Sequence, residues 1–405
     1  MSLQKFTPYQ KFVVAMLAFL QFTIILDFMI ISPLGALLMP ALKITPAQFG
    51  MVVSAYAFSA GLSGLLAAGF ADRFDRKKIL LFFYVGFIFG TLICGLAPDY
   101  PLLLAARIFT GIFGGVIGSI VMAITTDLFT YDQRGRVAGL LQTAFGASQI
   151  LGIPAGLYFS HLWGWHAPFL MIVVVGTVVG VMIFLKLRPV DEHLKLKSEH
   201  SPFAHLWETV RVPRYLLAFF NTALLTTGAY MMMPFGTAFA VNNLGIPFDK
   251  LPILYLVTGL AAMAIGPLIG QGADRYGKFP VFVFGALVTI PGVLYYTNMG
   301  PSSLWHLIPV QVIFFIGIFS RTIPAQALIS ALPSPDKRGS FMAVNSSLQQ
   351  ISGGFSSLVA GLVVVEVGGK LEHFDTLGIV LVGTVLTTVG STFFISRIVE
   401  KSDRP

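Results

Sequence analysis

Long apolar segments with almost no charge constrain this 405-residue chain more than any other feature of its sequence. A helix needs about 20 apolar residues to cross roughly 30 Å of hydrocarbon, and twelve segments reach about that length. We therefore predict an all-α integral membrane protein with twelve transmembrane helices. The predicted spans lie near 12–38, 48–70, 79–97, 102–126, 137–160, 167–187, 214–240, 251–272, 279–298, 304–330, 340–365 and 375–397.

The composition excludes several other classes of protein. Charged residues make up 11% of the chain and hydrophobic residues 56%, whereas soluble domains carry about 25% charged residues. A water-soluble enzyme, a coiled coil, a collagen and a disordered chain are all excluded on this ground. The single cysteine, Cys94, forms no intramolecular disulfide and leaves no Cys/His pattern for zinc, so we predict no metal and no cofactor.

The distribution of basic residues predicts the orientation in the membrane. With the N-terminus inside, 21 of the 26 lysines and arginines fall at the inner side, and only Lys43, Lys250 and Lys370 fall in outer loops. This bias follows the positive-inside rule and places both termini in the cytoplasm of a multi-pass protein of the inner (plasma) membrane. Attraction to anionic lipid explains the net charge of +8, so nucleic acid is not needed as a partner.

Two short motifs repeat at nearly the same offset. Asp72-Arg73, after the second span, recurs as Asp274-Arg275 after the eighth, and Asp132-Gln133-Arg134-Gly135 matches Asp336-Lys337-Arg338-Gly339, 204 residues later. Such a repeat predicts two pseudo-equivalent bundles of six helices, at 1–187 and 214–405, joined by a cytoplasmic linker at 188–213. Parallel halves of this kind are typical of transporters, with a central site near the membrane midplane.

These motifs resemble the signatures of the major facilitator superfamily over nearly the whole chain. The superfamily motif between spans 2 and 3 is matched here by Asp72, Arg73, Arg76 and Lys77. Two glycines of that motif are replaced by Ala68 and Asp75, whereas the second copy keeps them as Gly270 and Gly277. Arg107 to Gly111 resembles the pattern of span 4, and Gly152 to Gly156 a degraded antiporter motif of span 5.

Within the superfamily, Leu26-Asp27 followed by an apolar run to Pro33 resembles the proton-coupled drug and metabolite efflux branch with twelve spans. The resemblance implies alternating access and export of a small amphipathic compound or metabolite in exchange for protons, by a monomer. A proton-coupled importer or a uniporter of a sugar, nucleoside or organic anion is the alternative. The sequence contains no nucleotide-binding motif and no catalytic constellation in its spans, so we predict neither ATP-driven transport nor an enzyme.

Three charged residues lie in the interior of predicted spans, away from their ends, and are candidates for the mechanism. Asp27 is the candidate proton carrier, because a carboxylate inside hydrocarbon is costly and normally faces a cavity or a partner. The alternatives are a structural hydrogen bond, a fixed counter-ion to Arg107 and a direct contact to a cationic substrate. Arg107 needs a partner for its charge. The candidates are Asp27, a carboxylate or phosphate of a substrate, and backbone carbonyls. Arg321 must be met by the first half, a substrate anion or water, or it occupies a structural niche; if it lines the cavity, it favours an anionic or zwitterionic compound.

Two further sets of residues are predicted to act without carrying protons. The resemblance implies that a charge cluster at the inner side braces one conformation, and Asp127 occupies a suitable position in it. This gating set comprises Asp72, Arg73, Arg76, Asp127, Asp274 and Arg275, and Asp75 adds a negative charge to it. Polar stripes at helical spacing line either the substrate cavity or helix–helix contacts: Gln142 and Gln149 in span 5, Asn221 and Tyr230 in span 7, and Asn345 and Gln349 in span 11.

Overall fold

A computed structural model describes residues 6–67, 73–191, 194, 208–334 and 337–402 of the chain. These residues are almost entirely helical, and each of the twelve predicted spans contains helix. The first part contains α1 Pro8–Ile30, α2 Gly35–Leu42, α3 Pro46–Ala67, α4 Arg76–Leu96, α5 Tyr100–Leu128, α6 Tyr131–Ala147, α7 Ile153–Trp163 and α8 Ala167–Lys186. The second part contains α9 Pro213–Met232, α10 Gly236–Asn242, α11 Leu251–Tyr276, α12 Lys278–Thr297, α13 Leu304–Ala331, α14 Arg338–Val363 and α15 Phe374–Ser402.

Ten spans of the described residues are long and apolar enough to cross a membrane. The predicted fifth span falls short of this because a π-helical turn, Ser148–Gly152, separates α6 from α7. Pro154 lies in the first turn of α7, where its missing N–H group is tolerated. The predicted eleventh span is the continuous helix α14, whose polar residues lower its hydropathy. The predicted all-α membrane fold is confirmed.

Spans 1 and 7 are interrupted at equivalent places. Span 1 breaks between α1 and α2 around Pro33, and span 7 breaks between α9 and α10 around Pro234. Proline interrupts a helix because it lacks an N–H group and its ring clashes with the preceding turn. The offset between these prolines is close to that of the repeated motifs, so the two breaks extend the internal repeat to the backbone.

The chain divides into two compact units. The first comprises residues 1–34 and 55–203, and the second comprises 35–54 and 204–405. One boundary falls in the predicted linker and the other falls inside α3. Within the second unit, the Phe49 and Phe235 rings lie 5.8 Å apart, and the Ser54 hydroxyl donates to the carbonyl of Gly354 at 2.7 Å. These contacts explain why the start of α3 packs with the later helices.

Small residues allow close helix packing inside the first unit. Gly111 and Gly115 lie one turn apart on α5 and face α3, where an added Cβ at Gly115 would meet the backbone of Ala60. An added Cβ at Gly111 would meet Ser59 and the carbonyl of Tyr56. Interfaces between membrane helices use such small residues because van der Waals contact replaces the hydrophobic driving force.

A short β-hairpin between α14 and α15 departs from the all-helical expectation. Strands β1 Val365–Val367 and β2 Lys370–Glu372 pair antiparallel. Gly368 and Gly369 form the two-residue turn with φ angles of 57° and 79°, which glycine adopts without strain. Asn243 then fixes the hairpin within its unit, since its side chain exchanges two hydrogen bonds with the backbone of Leu371 at 2.8 and 2.9 Å.

Candidate functional site

A fully buried ion pair joins α1 to α5 in the first unit. Nη1 of Arg107 lies 2.8 Å from Oδ2 of Asp27, and both side chains have an exposure of 0%. The same Nη1 lies 3.5 Å from the backbone carbonyl of Asp27. Of the partners predicted for Arg107, the structure thus brings Asp27 and a backbone carbonyl to it.

Two uncharged side chains complete this site from two further helices. The Thr91 hydroxyl on α4 donates to Oδ1 of Asp27 at 3.1 Å. Cζ of Arg107 lies 4.4 Å from the centroid of the Tyr56 ring on α3, within the range of a cation–π interaction. Neither residue was a candidate in the sequence, because threonines and tyrosines are common in such spans and no motif marks these two.

The guanidinium group of Arg107 is only partly satisfied. Its Nε and Nη2 atoms are buried and have no hydrogen-bond partner among the described residues. Arginine stays protonated in proteins, so these N–H groups remain donors whatever happens to Asp27. The site therefore has one ionisable acid and spare capacity to bind an acceptor.

The site lies close to the break in span 1. Asp27 is about 28 Å along α1 from Pro8 at 1.5 Å per residue, and Arg107 is about 10 Å from the start of α5. Under the predicted orientation, both measures place the pair in the outer half of the membrane. The break at 31–34 follows within one turn of the carboxylate, so a change in this pair acts next to a discontinuity in the helix.

A second ion pair lies at the opposite end of the first unit. Nε of Arg76 lies 3.1 Å from Oδ2 of Asp127, with side-chain exposures of 6% and 24%. Of the predicted gating set, these two residues are brought together. Arg73 is exposed, and Asp72 lies outside the described residues.

Asp75, which stands where the family motif has glycine, has a specific structural role. Its side chain caps α4 by accepting from the Lys77 amide at 2.8 Å. The same Oδ1 atom accepts from the Val190 amide at 3.0 Å, and the Arg76 amide donates to the Val190 carbonyl at 3.0 Å. The first residues after α8 are thereby attached to the start of α4.

The second copy of the motif is solvated. Asp274 and Arg275 are exposed in the last turn of α11. Asp274 lies 4.0 Å from Nζ of Lys278, at the limit of an ion pair. An exposed pair of this kind contributes little to stability, so the two copies of the motif differ in their local environment.

Arg321 lies in the interior of the second unit with 5% exposure. Its Nη2 atom lies 3.3 Å from the Thr388 hydroxyl on α15, and its Cζ atom lies 5.9 Å from the Phe282 ring on α12. Nε has no partner among the described residues. Within the structure described, the charge of Arg321 is therefore met by neutral groups only.

The predicted polar stripes fall into two environments. Asn221 and Asn345 are buried and join helices: Asn221 accepts from Ser391 at 2.5 Å and Asn345 accepts from Thr222 at 2.7 Å. This is the helix–helix alternative. Tyr230 is half-buried and packs against Gly353. The glutamines remain more accessible, with Gln142 exposed and Gln149 and Gln349 half-buried.

Comparison with known proteins identifies the family. The family model described as Major Facilitator Superfamily matches residues 17–357, which is most of the chain. The chain belongs to the Major Facilitator Superfamily. It is therefore a multi-pass membrane transporter of that superfamily.

Two bacterial members of the superfamily are similar over almost their whole length. The uncharacterised MFS-type transporter YceJ of Bacillus subtilis (strain 168) is 25% identical over 379 residues, covering 92% of this chain and 94% of its own. The uncharacterised MFS-type transporter YtbD of the same organism is 24% identical over 374 residues, covering 88% and 87%. Each match therefore covers most of both chains.

Solved structures of superfamily transporters share the fold. A bacterial homologue of the human lysosomal transporter Spinster, inward-facing and occupied, has a TM-score of 0.78 at 17% identity, covering 97% of this chain and 98% of that one. The nucleoside transporter NupG has a TM-score of 0.77 at 13% identity, covering 95% and 99%. At these identities the likeness concerns the superfamily fold alone.

No group of three or more histidine, cysteine, aspartate or glutamate side chains is placed to hold a metal ion within the part of this superfamily member that the structure describes. Its ionisable chemistry is concentrated instead in the pair of Asp27 and Arg107. That pair is the candidate functional site.

Proposed function

We propose that this protein is a secondary active transporter that exports a small amphipathic compound or metabolite by alternating access, in exchange for protons. The buried pair of Asp27 and Arg107 is the observation that carries the proposal. In the proposed topology both termini are cytoplasmic, the protein is a monomer in the plasma membrane, and the 21 basic residues at the inner side support this orientation.

Asp27 is the proposed proton carrier. It is the one acidic residue in the interior of a predicted span, and such residues in transporters normally mark ion or proton pathways. Its carboxylate is fully buried and held by Arg107 and Thr91. Adding a proton removes the negative charge, so the two protonation states of the site differ by one full charge inside a low-dielectric interior.

Arg107 is the proposed link between the proton and the transport cycle. With Asp27 ionised, the pair is neutral overall. When Asp27 is protonated, the Arg107 guanidinium keeps its cation–π contact with the Tyr56 ring but no longer faces a negative charge. Its Nε and Nη2 atoms already lack hydrogen-bond partners among the described residues. The protonated state therefore favours a conformation in which an acceptor or water reaches Arg107. A shift between two conformations requires such a difference in interaction energy between them.

The proposed gating set comprises Asp72, Arg73, Arg76, Asp127, Asp274 and Arg275. The pair of Arg76 and Asp127 supports this role for the first copy of the motif, because an arginine with 6% exposure held by a carboxylate is more than a surface ion pair. The proposed substrate cavity is lined by Arg321, Gln142, Gln149, Asn221, Tyr230, Asn345 and Gln349. Gln149, Gln349 and Tyr230 support it most, because their side chains are half-buried, whereas Asn221 and Asn345 form hydrogen bonds between helices.

The test uses purified protein in liposomes that contain a pH-sensitive dye. Cationic, neutral and anionic compounds are added outside liposomes that contain wild type, Asp27→Asn or the control Glu366→Gln. The control removes an exposed carboxylate of the hairpin. We expect at least one compound to make the lumen more alkaline with wild type and the control, and this response to be lost in Asp27→Asn.

Two results would contradict the proposal. Acidification of the lumen on adding a compound would mean that proton and compound move in the same direction, as in an importer. Movement of labelled compound with no change in lumenal pH would mean facilitated diffusion or another coupling ion, and Asp27 would then be a structural residue.

A further inference from the structure

Arg321 is a buried cation without an anion. In the described part of α9–α15, every acidic residue lies at a helix end or in a connection, and Arg321 forms no ion pair there. Its contacts are the Thr388 hydroxyl at 3.3 Å and the Phe282 ring at 5.9 Å. Removing a charge from water costs several kcal/mol unless it is paired and fully hydrogen-bonded, so two neutral contacts leave much of this cost uncompensated.

The first unit shows how the same fold pairs a buried arginine of the equivalent span, α5. Arg107 is also fully enclosed by helices, and Asp27 lies 2.8 Å from it. No side chain takes the place of Asp27 beside Arg321 in the described second unit. An acceptor with a negative charge is the missing component.

Asn221, which is linked to Arg321 through Thr388 and Ser391, also has an unused N–H donor. Oδ1 of Asn221 already accepts from two hydroxyls, those of Ser391 at 2.5 Å and Thr392 at 3.1 Å. The Nδ2 atom of Asn221 and the Nε atom of Arg321 are both buried, and neither has a hydrogen-bond partner among the described residues. Ser391 connects the two, since its hydroxyl also lies 3.3 Å from the backbone carbonyl of Thr388. The unused positions of both side chains are N–H donors, which suit an anion.

A small cavity adjoins Arg321. It has a volume of about 20 Å³ and is lined by Arg321, Thr322, Thr289, Phe314, Gly228 and Leu381. A space of about 10–15 Å³ is sufficient for one water molecule. The cavity therefore has room for a group of about the size of a water molecule, such as a monoatomic ion or one carboxylate oxygen.

We propose that the interior of the second unit contains an anion site at Arg321, which binds one small monovalent anion against the guanidinium group. Two sources share this chemistry: a halide ion and the carboxylate of a compound. The site is separate from proton coupling at Asp27. An anion bound there neutralises Arg321 and stabilises the bundle, so occupancy is measurable without transport.

The test measures the thermal unfolding of the purified full-length protein in detergent at constant ionic strength. The sodium salts are chloride, bromide, formate and methanesulfonate, and neutral formamide is the control for formate. Because a ligand that binds only the folded state raises its stability by an amount that grows with the logarithm of its concentration above Kd, we expect chloride and bromide to raise the unfolding temperature above its value in methanesulfonate. We expect Arg321→Gln to abolish this dependence.

Other variants keep the test decisive. If Arg321→Gln does not fold, Arg321→Lys keeps the charge but loses the planar donor geometry, and we expect it to bind about tenfold more weakly. The control Arg275→Gln removes an exposed arginine and should leave the anion dependence intact, as should Asp27→Asn. A dependence on formate alone, absent with formamide, would assign the site to a carboxylate.

The proposal is overturned if none of these anions changes the unfolding temperature of wild type, or if Arg321→Gln and Arg275→Gln respond to them equally. Arg321 would then be a hydrated structural residue. Since Asp27→Asn abolishes proton movement but not anion binding, failure of this proposal and failure of the proposed transport mechanism give different results.

Discussion

Replacing Asp27 by asparagine is expected to destabilise the protein strongly, because it leaves Arg107 charged and buried without a carboxylate. The substitution preserves size and changes only the charge and one acceptor oxygen. Both side chains have an exposure of 0%, so solvent does not compensate for the loss. The Nε and Nη2 atoms of Arg107 already lack partners among the described residues.

The structure sets the size of this effect. Removing one partner of a buried ion pair costs about 3–5 kcal/mol. The asparagine oxygen still accepts from Nη1, and the Tyr56 ring stays 4.4 Å from Cζ, so we expect the low end of that range, about 3 kcal/mol. Removing both charges, in Asp27→Asn with Arg107→Gln, should cost less than the single change. The resulting interaction energy is about 2 kcal/mol, within the range found for residues in contact.

A double-mutant cycle measures this energy. The free energy of unfolding is determined by reversible denaturation in mixed micelles for wild type, the two single variants and the double variant. The pair Asp27→Asn and Arg275→Gln is the control, because Arg275 is exposed on the other unit, and it should be additive. Additivity within about 0.5 kcal/mol for Asp27 and Arg107 would refute the reasoning, since the pair would then contribute no specific interaction.

Three other predictions follow from local contacts. Asp75→Ala should lower the free energy of unfolding by about 1 kcal/mol, as for the loss of an N-cap. It should also speed proteolysis just after α8, because the Val190 amide loses its acceptor. Unchanged proteolysis would count against this attachment. Gly115→Ala should destabilise the first unit by about 1–3 kcal/mol, whereas Gly118→Ala, with open space around it, should not, and equal unfolding temperatures would be inconsistent with the packing described. Asp127→Asn should slow transport without changing the number of protons moved per compound, and a changed ratio would place this residue in coupling instead of gating.

The positions of the membrane helices were predictable from the sequence because a bilayer selects directly for apolar length. The break around Pro33 also has a local cause in the proline. Asp27 and Arg107 stood out for the same reason, since charge is rare inside a span. Their pairing was one alternative among several, because no sequence pattern shows how two helices are rotated toward each other.

Other features were not predictable, because they depend on contacts between distant residues. Thr91 and Tyr56 reach the ion pair through the rotation of α4 and α3, which polar spacing does not report. Asp75 appeared in the sequence only as an additional charge, whereas its oxygen binds the amide of Val190, 115 residues away. The packing of residues 35–54 with the second unit likewise follows from tertiary contacts. Amphipathic stripes indicated polar faces but did not distinguish a cavity from a helix–helix contact, as Asn221 and Asn345 illustrate.

Proton release on substrate binding tests the central claim most directly. Purified protein in weakly buffered detergent solution is mixed with a transported compound, and a pH indicator records the protons released while a separate signal records binding. We predict that wild type and Glu366→Gln release protons on binding, up to one per molecule, and that Asp27→Asn releases none. Equal release from Asp27→Asn, or binding to wild type without release, would contradict the assignment of Asp27 as the proton carrier.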